Sequence, residues 1–125
     1  MPTQAEKAAA FQALHQRAEA FVIANPWDAG TARILTGLGF SALSTTSAGL
    51  AFTLGRRDGT AAVSREEALA NAKSIVEATH LPVAADLENG YGHAPEAAAE
   101  TCKTKFATGS PEVMTAYSMV HKCAF

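Results

Sequence analysis

Leu81-Pro82-Val83-Ala84-Ala85-Asp86-Leu87-Glu88-Asn89-Gly90-Tyr91-Gly92 is the most informative run of this chain. Its first half is short and apolar, the composition of a strand buried on both faces. Its second half turns acidic and then glycine-rich. Side chains alternate along a strand with a period of two, so the spacing predicts that Asp86 and Glu88 point to the same side. Two carboxylates leaving an apolar strand together repel unless something positive lies between them. Mg²⁺ suits such a pair, because it takes one or two protein carboxylates and completes its octahedron with water and substrate oxygens. A solvated strand end is the alternative, and Gly90 and Gly92 permit a tight turn in either reading.

The flanking segments fall into the same rhythm. Upstream, Ser64 and Glu67 make a capping-box pair that opens a helix. Its inner stripe is Ala68, Leu69, Ala72, Ile75, Val76 and Thr79, at steps of three and four. Residues 46–62 are rich in Thr, Ser and Gly and read as a loop, preceded by an apolar strand from Phe40 to Thr45. Asp28 is placed to cap a helix from Ala29 to Leu38, with Ile34, Leu35 and Leu38 on its inner side and Gly39 as its stop. Gly37-Leu38-Gly39 carries two glycines of a dinucleotide fingerprint, but at a helix end, where a C-cap is the simpler reading. Phe21 to Ala24 reads as a first strand ended by Asn25-Pro26. A helix over Gln4 to Ala20, with Ala8, Phe11, Leu14, Ala18 and Phe21 at helical spacing, precedes it. Downstream, Pro95 opens a helix from Glu96 to about Lys103.

The order is a helix followed by three strand-helix units. Such alternation predicts an α/β chain with a parallel sheet and right-handed crossovers. Three strands do not close a barrel, and a (β/α)₈ barrel typically needs roughly 200 to 250 residues. On length alone, a small doubly wound sheet fits 125 residues better.

Composition narrows the function classes. Hydrophobic residues make up 48% and charged residues 18%, which is ordinary for a globular protein and excludes the disordered class. A formal net charge of -2 gives no electrostatic footprint for nucleic acid or an anionic membrane surface. No apolar run approaches the ~20 residues of a membrane span, and the N-terminus lacks the apolar core of a signal peptide, so a cytoplasmic location is expected. Cys102 and Cys123 form no C-x-x-C pair, and His15, His80, His93 and His121 are dispersed. Soft metal ligands are therefore not expected.

Two further segments carry possible chemistry. Ser44-Thr45-Thr46-Ser47-Ala48-Gly49-Leu50 follows the second strand, and its small residues and hydroxyls suit an anion. Such loops are also common without function. Asp58, in Arg56-Arg57-Asp58-Gly59, reads most simply as a turn residue. No Ser-His-Asp or Cys-His arrangement emerges from order or spacing.

Taken together, Asn25-Pro26-Trp27-Asp28-Ala29, Thr46-Ser47-Ala48-Gly49, Leu54-Gly55, Asp58-Gly59 and Asp86-Leu87-Glu88-Asn89-Gly90-Tyr91-Gly92 resemble the phosphoenolpyruvate mutase/isocitrate lyase superfamily. The likeness is greatest to a branch whose third strand ends D-L-E-x-G-[YF]-G, and it covers roughly residues 10–101. The resemblance implies a partial (β/α)₈ TIM-type barrel: an N-terminal helix and about three strand-helix units. It implies a Mg²⁺-dependent lyase or mutase that acts on C-C or P-C bonds of small 2-oxo or hydroxy acids through an enolate, and a homo-oligomer. Asp86 then corresponds to the direct metal ligand, and Glu88 stands where a second Asp, bound through water, is more usual. Thr46, Ser47 and Ala48 fall where the family binds the substrate carboxylate and enolate oxygen. Ser47 takes the place of a frequent Gly there. Asp58 falls on the catalytic loop acid beside the metal.

The resemblance fades after Thr101. Residues 102–125 are expected to be a divergent segment without the acidic fourth strand, from a truncated or frame-shifted copy. Lys122-Cys123 echoes the K-[KR]-C-G-H loop of the family's lyases, but no Gly-His follows. A non-catalytic fragment, or a small metal- or anion-binding α/β domain, is the competing expectation. An unclosed sheet also predicts an exposed edge and one uncovered apolar face.

Overall fold

The computed structural model describes residues 1–103. The expected divergence over residues 104–125, with Lys122-Cys123, lies outside the described residues.

Helices begin where the sequence supplies a cap. Thr3 opens α1 (Gln4–His15) in a capping box with Glu6. After β1 (Ile23–Ala24), the Asp28 carboxylate accepts from the Thr31 amide at 2.7 Å and starts α2 (Ala29–Gly37). β2 (Ala42–Ser44) leads into α3 (Ser47–Thr53), capped by Thr46. Ser64 and Glu67 form the expected capping box on α4 (Arg65–Ala78). β3 (Val83–Ala84) and α5 (Pro95–Lys103) complete the described chain.

The three strands form a parallel sheet in the order β1-β2-β3, with Ile23 opposite Ala42 and Leu43 opposite Val83. Ala24, Leu43 and Val83 share the face packed against Ala32 and Leu35 of α2 and Ile75 of α4. Ile23, Ala42 and Ala84 share the other, where Phe11 and Leu14 of α1 pack together with Phe21. The rings of Phe11, His15 and Phe21 meet edge to face, with centroids 4.6 to 6.4 Å apart. Alanines at 42 and 84 leave room for those rings. Phe11 and Leu14 of α1, with Phe21, thus cover part of the apolar face that an unclosed sheet was expected to expose.

Three expectations need correction. The inner stripe of α2 is Ala32 and Leu35; Ile34 and Leu38 are 63% and 70% exposed, because α2 turns its small residue toward α4. α1 stops at His15 instead of reaching Ala20, with the Gln16 amide bonded back to Gln12 and Ala13. The stretch read as a loop from Thr46 contains a helix, because Thr46 caps it while Leu50 and Ala51 bury one side.

At the far end of α4, Lys7 is buried and donates from Nζ to the carbonyls of Val76 (3.0 Å) and Thr79 (2.6 Å). These are carbonyls that a helix end leaves without an intrahelical donor. No described helix is long and apolar enough to cross a membrane.

Candidate functional site

The site gathers where the strands end. Thr45 continues the ladder by donating its amide to the Ala84 carbonyl (2.9 Å), and its Oγ1 then accepts from the Asp86 amide (2.8 Å). A side chain thus replaces backbone pairing and fixes the point at which the chain leaves the sheet. Asp86 lies two residues beyond Ala84, in step with the face that carries Ala42 and Ala84. Its Oδ2 accepts from the Ser47 amide (3.1 Å) and the Ser47 hydroxyl (2.9 Å). Its Oδ1 accepts from the Glu88 amide at 3.0 Å.

Glu88 reaches the same place by a different route from the one strand alternation predicts. The strand has ended, Leu87 is buried, and Glu88 adopts φ +50°, in the left-handed region. Tyr91 follows at φ +60°. Non-glycine residues held there are strained, and such strain gathers at functional sites. The surrounding structure holds this turn firmly. The Gly90 amide bonds to Leu87 O at 2.8 Å, and Thr101 of α5 donates to Gly90 O at 2.6 Å. A Cβ on Gly90 would come within 2.5 Å of the Ala98 Cα, and one on Gly92 within 2.4 Å of the Ala97 Cβ. The two glycines are thus required for α5 to pack against the turn.

A cavity of about 530 Å³ opens over these strand ends. Asn25 lines it after β1, Ser44 to Ser47 after β2, Asp58 and Gly59 from the loop after α3, and Asp86 and Glu88 after β3. Neither lysine nor arginine is among these lining residues. The Glu88 carboxyl is pushed above the usual carboxylate range, first by burial and then by the charges of Asp58 and Asp86; the Ser47 hydroxyl pulls the other way. Burial, followed by the charges of Glu88 and Asp86, pushes the Tyr91 phenol up to about 12.

Thr46, Ser47, Asp58, Asp86 and Glu88 are therefore brought together, whereas Ala48 lies one residue into α3 and off the cavity wall. Asn25, Ser44, Thr45 and Gly59 join them; all four lie in segments quoted from the sequence, but none had been given a role of its own. For Ser44 and Thr45 the signal was their place at a strand end. Asn25 is held by a hydrogen bond from its Nδ2 to Ser44 O (3.0 Å), a contact across strands that sequence order does not reveal.

Among the described residues, no three His, Cys, Asp or Glu side chains converge into a ready metal cage. Mg²⁺ does not need one, since waters and substrate usually supply most of its six ligands. The donors present are hard oxygens, carboxylates and hydroxyls, and among the described lining residues no lysine or arginine balances the negative charge. That chemistry fits Mg²⁺.

Parallel strands here present acids and hydroxyls at their C-terminal ends, the face on which (β/α) barrels build their sites. The sequence profile of the phosphoenolpyruvate phosphomutase family matches residues 11–113, and the chain belongs to this family. A provisionally assigned lyase/mutase from Burkholderia cenocepacia J2315 superposes with a TM-score of 0.77 at 55% identity, over 80% of this chain and 35% of that one. The 2,3-dimethylmalate lyase, a PEP mutase/isocitrate lyase superfamily member, superposes at 0.68 with 30% identity, over 82% and 35%. The uncharacterized protein Rv1998c of Mycobacterium tuberculosis H37Rv is 35% identical over 91 residues, covering 72% of this chain and 34% of its own length. The chain thus spans about a third of these relatives, and its α/β fold is part of a (β/α)₈ barrel.

Proposed function

We propose that this chain carries the metal- and substrate-binding strand ends of a Mg²⁺-dependent lyase or mutase acting on small 2-oxo or hydroxy acids. The observation that carries the reading is the cavity itself. Asp58, Asp86 and Glu88 meet there with no basic side chain among the described lining residues, and burial, then the charges of Asp58 and Asp86, makes Glu88 resist ionisation. When bound, Mg²⁺ would supply the positive charge that stabilises a 2-oxo acid as its enolate.

The protein residues divide the remaining work. Asp86, anchored by three hydrogen bonds, is the primary ligand, and Glu88 is the second, acting through water. Asp58, on the exposed loop after α3, closes the acidic wall as the catalytic loop acid. Thr46 and Ser47 form the wall beside the substrate carboxylate. Ala48 lies behind that wall, and its assignment rests on the family resemblance; its amide, in the first turn of α3, has no intrahelical acceptor. Breakage or rearrangement of a C-C or P-C bond, a homo-oligomeric assembly and a division after Thr101 belong to the same reading and rest on the family resemblance; a cytoplasmic setting is proposed from the sequence's hydropathy.

Oxalate, a planar dianion shaped like the enolate of a 2-oxo acid, tests the proposal. Calorimetric titration should show oxalate binding only with Mg²⁺ present, and Asp86→Asn should abolish it. Oxalate binding that is indifferent to Mg²⁺, or that survives Asp86→Asn, would contradict the reading.

A further inference from the structure

We infer that Ser47 is a positioning residue that makes Asp86 a one-oxygen ligand and so sets which divalent cation the site accepts; this rests on the reading of Asp86 as the metal ligand. An ionised carboxylate offers about four acceptor positions, two on each oxygen. Three are occupied here. Oδ2 accepts both the Ser47 amide, at 3.1 Å, and the Ser47 hydroxyl, at 2.9 Å, although Glu88 competes for that one hydroxyl proton. Oδ1 accepts the Glu88 amide, at 3.0 Å. The single open position is on Oδ1.

Cations differ in what they ask of such a carboxylate. Mg²⁺ demands a near-regular octahedron at about 2.0–2.1 Å and is served by one oxygen of a fixed carboxylate. Ca²⁺ takes six to eight oxygens at about 2.3–2.6 Å and readily binds both oxygens of one carboxylate. By filling Oδ2, Ser47 removes the two-oxygen mode and favours the smaller ion. The hydroxyl is the specific part of the device: any residue at 47 other than proline keeps the amide, but only a side chain with a donor fills the second position on Oδ2. The frequent Gly of the family at this place would leave that position open. Ser47 can hold this geometry because Thr46 caps α3 through its own Oγ1, bonded to the Gly49 amide at 3.1 Å, and leaves the serine hydroxyl free to turn toward β3.

The test measures the affinities of Mg²⁺ and Ca²⁺ by calorimetry on the full chain, without substrate. Four proteins are compared: wild type, Ser47→Ala, Ser47→Thr and Asp86→Asn. Partners behind a metal ligand are typically worth ~10-fold or more in affinity. Ser47→Ala should therefore lose about that factor for Mg²⁺ while holding or gaining Ca²⁺, so the Mg²⁺/Ca²⁺ ratio falls. Ser47→Thr, which keeps the hydroxyl, should restore the wild-type ratio. A ratio unchanged in Ser47→Ala, or lowered equally in Ser47→Thr, overturns the inference while leaving Asp86 as ligand intact. Unaltered Mg²⁺ binding by Asp86→Asn, or none by wild type, overturns the underlying reading and the inference with it. Circular dichroism of each variant separates a misfolded protein from a changed site, and a Ser47→Ala variant that unfolds leaves the Ser47→Thr ratio to decide.

Discussion

The start of α4 and the end of β3 each hold a glutamate, and the two are treated in opposite ways. Glu67 lies 2.7 Å from the Arg56 guanidinium and accepts from the Ser64 amide at 2.9 Å. Those partners hold its carboxyl down at about 2. Glu88 is half-sheltered beside Asp58 and Asp86, and its carboxyl is pushed up. One acid is placed where a helix N-terminus and a cation welcome its charge. The other is placed beside two more acids, with no lysine or arginine among the described residues that line the cavity. The second arrangement costs stability, and that contrast is what the proposed metal-binding role of Glu88 would explain.

The largest expected effect is at the turn that carries Glu88. Gly90→Ala would drive a Cβ into Ala98 and force an alanine to φ +83°, costing about 3 kcal/mol in urea denaturation. A cost below about 1 kcal/mol would show that the turn is not clamped by α5. Next in size, Lys7→Met would leave the Val76 and Thr79 carbonyls without their donor at the far end of α4, lowering stability by about 2 kcal/mol. Ser64→Ala removes the side-chain half of the cap that Glu67 shares and should cost about 1 kcal/mol.

The smallest effect has the opposite sign. Without metal at neutral pH, Glu88→Gln should leave stability unchanged or raise it by less than about 1 kcal/mol. A raised carboxyl in the folded state means that the native protein binds the proton more tightly than the unfolded chain does. The penalty is therefore full above the folded value and is relieved as pH falls toward 4.5. The difference between Glu88→Gln and wild type should shrink over that window. For Glu67 the sign reverses: its contribution is present above 4.5 and is lost as pH falls through about 2.

Much of this contrast was legible in the sequence where the physics is local. Asp28, Ser64 and Pro95 mark helix starts because a cap acts over three or four residues. The α/β alternation and the acidic end of β3 were readable for the same reason. Longer-range features were not. α3 was hidden because its Thr-Ser-Ala-Gly start is also loop chemistry, and its burial depends on distant partners. Ile34 and Leu38 looked like a core stripe until α4 selected Ala32 instead. The pairing of Asp86 and Glu88 was anticipated, but from strand alternation; the left-handed residue that delivers Glu88 to the cavity leaves no periodic trace. The bonds from Ser47 to Asp86 join segments from different strands, and spacing along one chain does not encode them.

Glu88 has no lysine or arginine beside it among the described lining residues, and the proposed function assigns its counter-charge to a divalent cation. Carboxyl-detected NMR titration of the two glutamates, with and without Mg²⁺, tests this most directly. Glu88 should titrate above 4.5 alone and shift downward when Mg²⁺ is added, while Glu67 stays at about 2 in both conditions. A Glu88 that titrates at or below 4.5, or that ignores Mg²⁺, would contradict it.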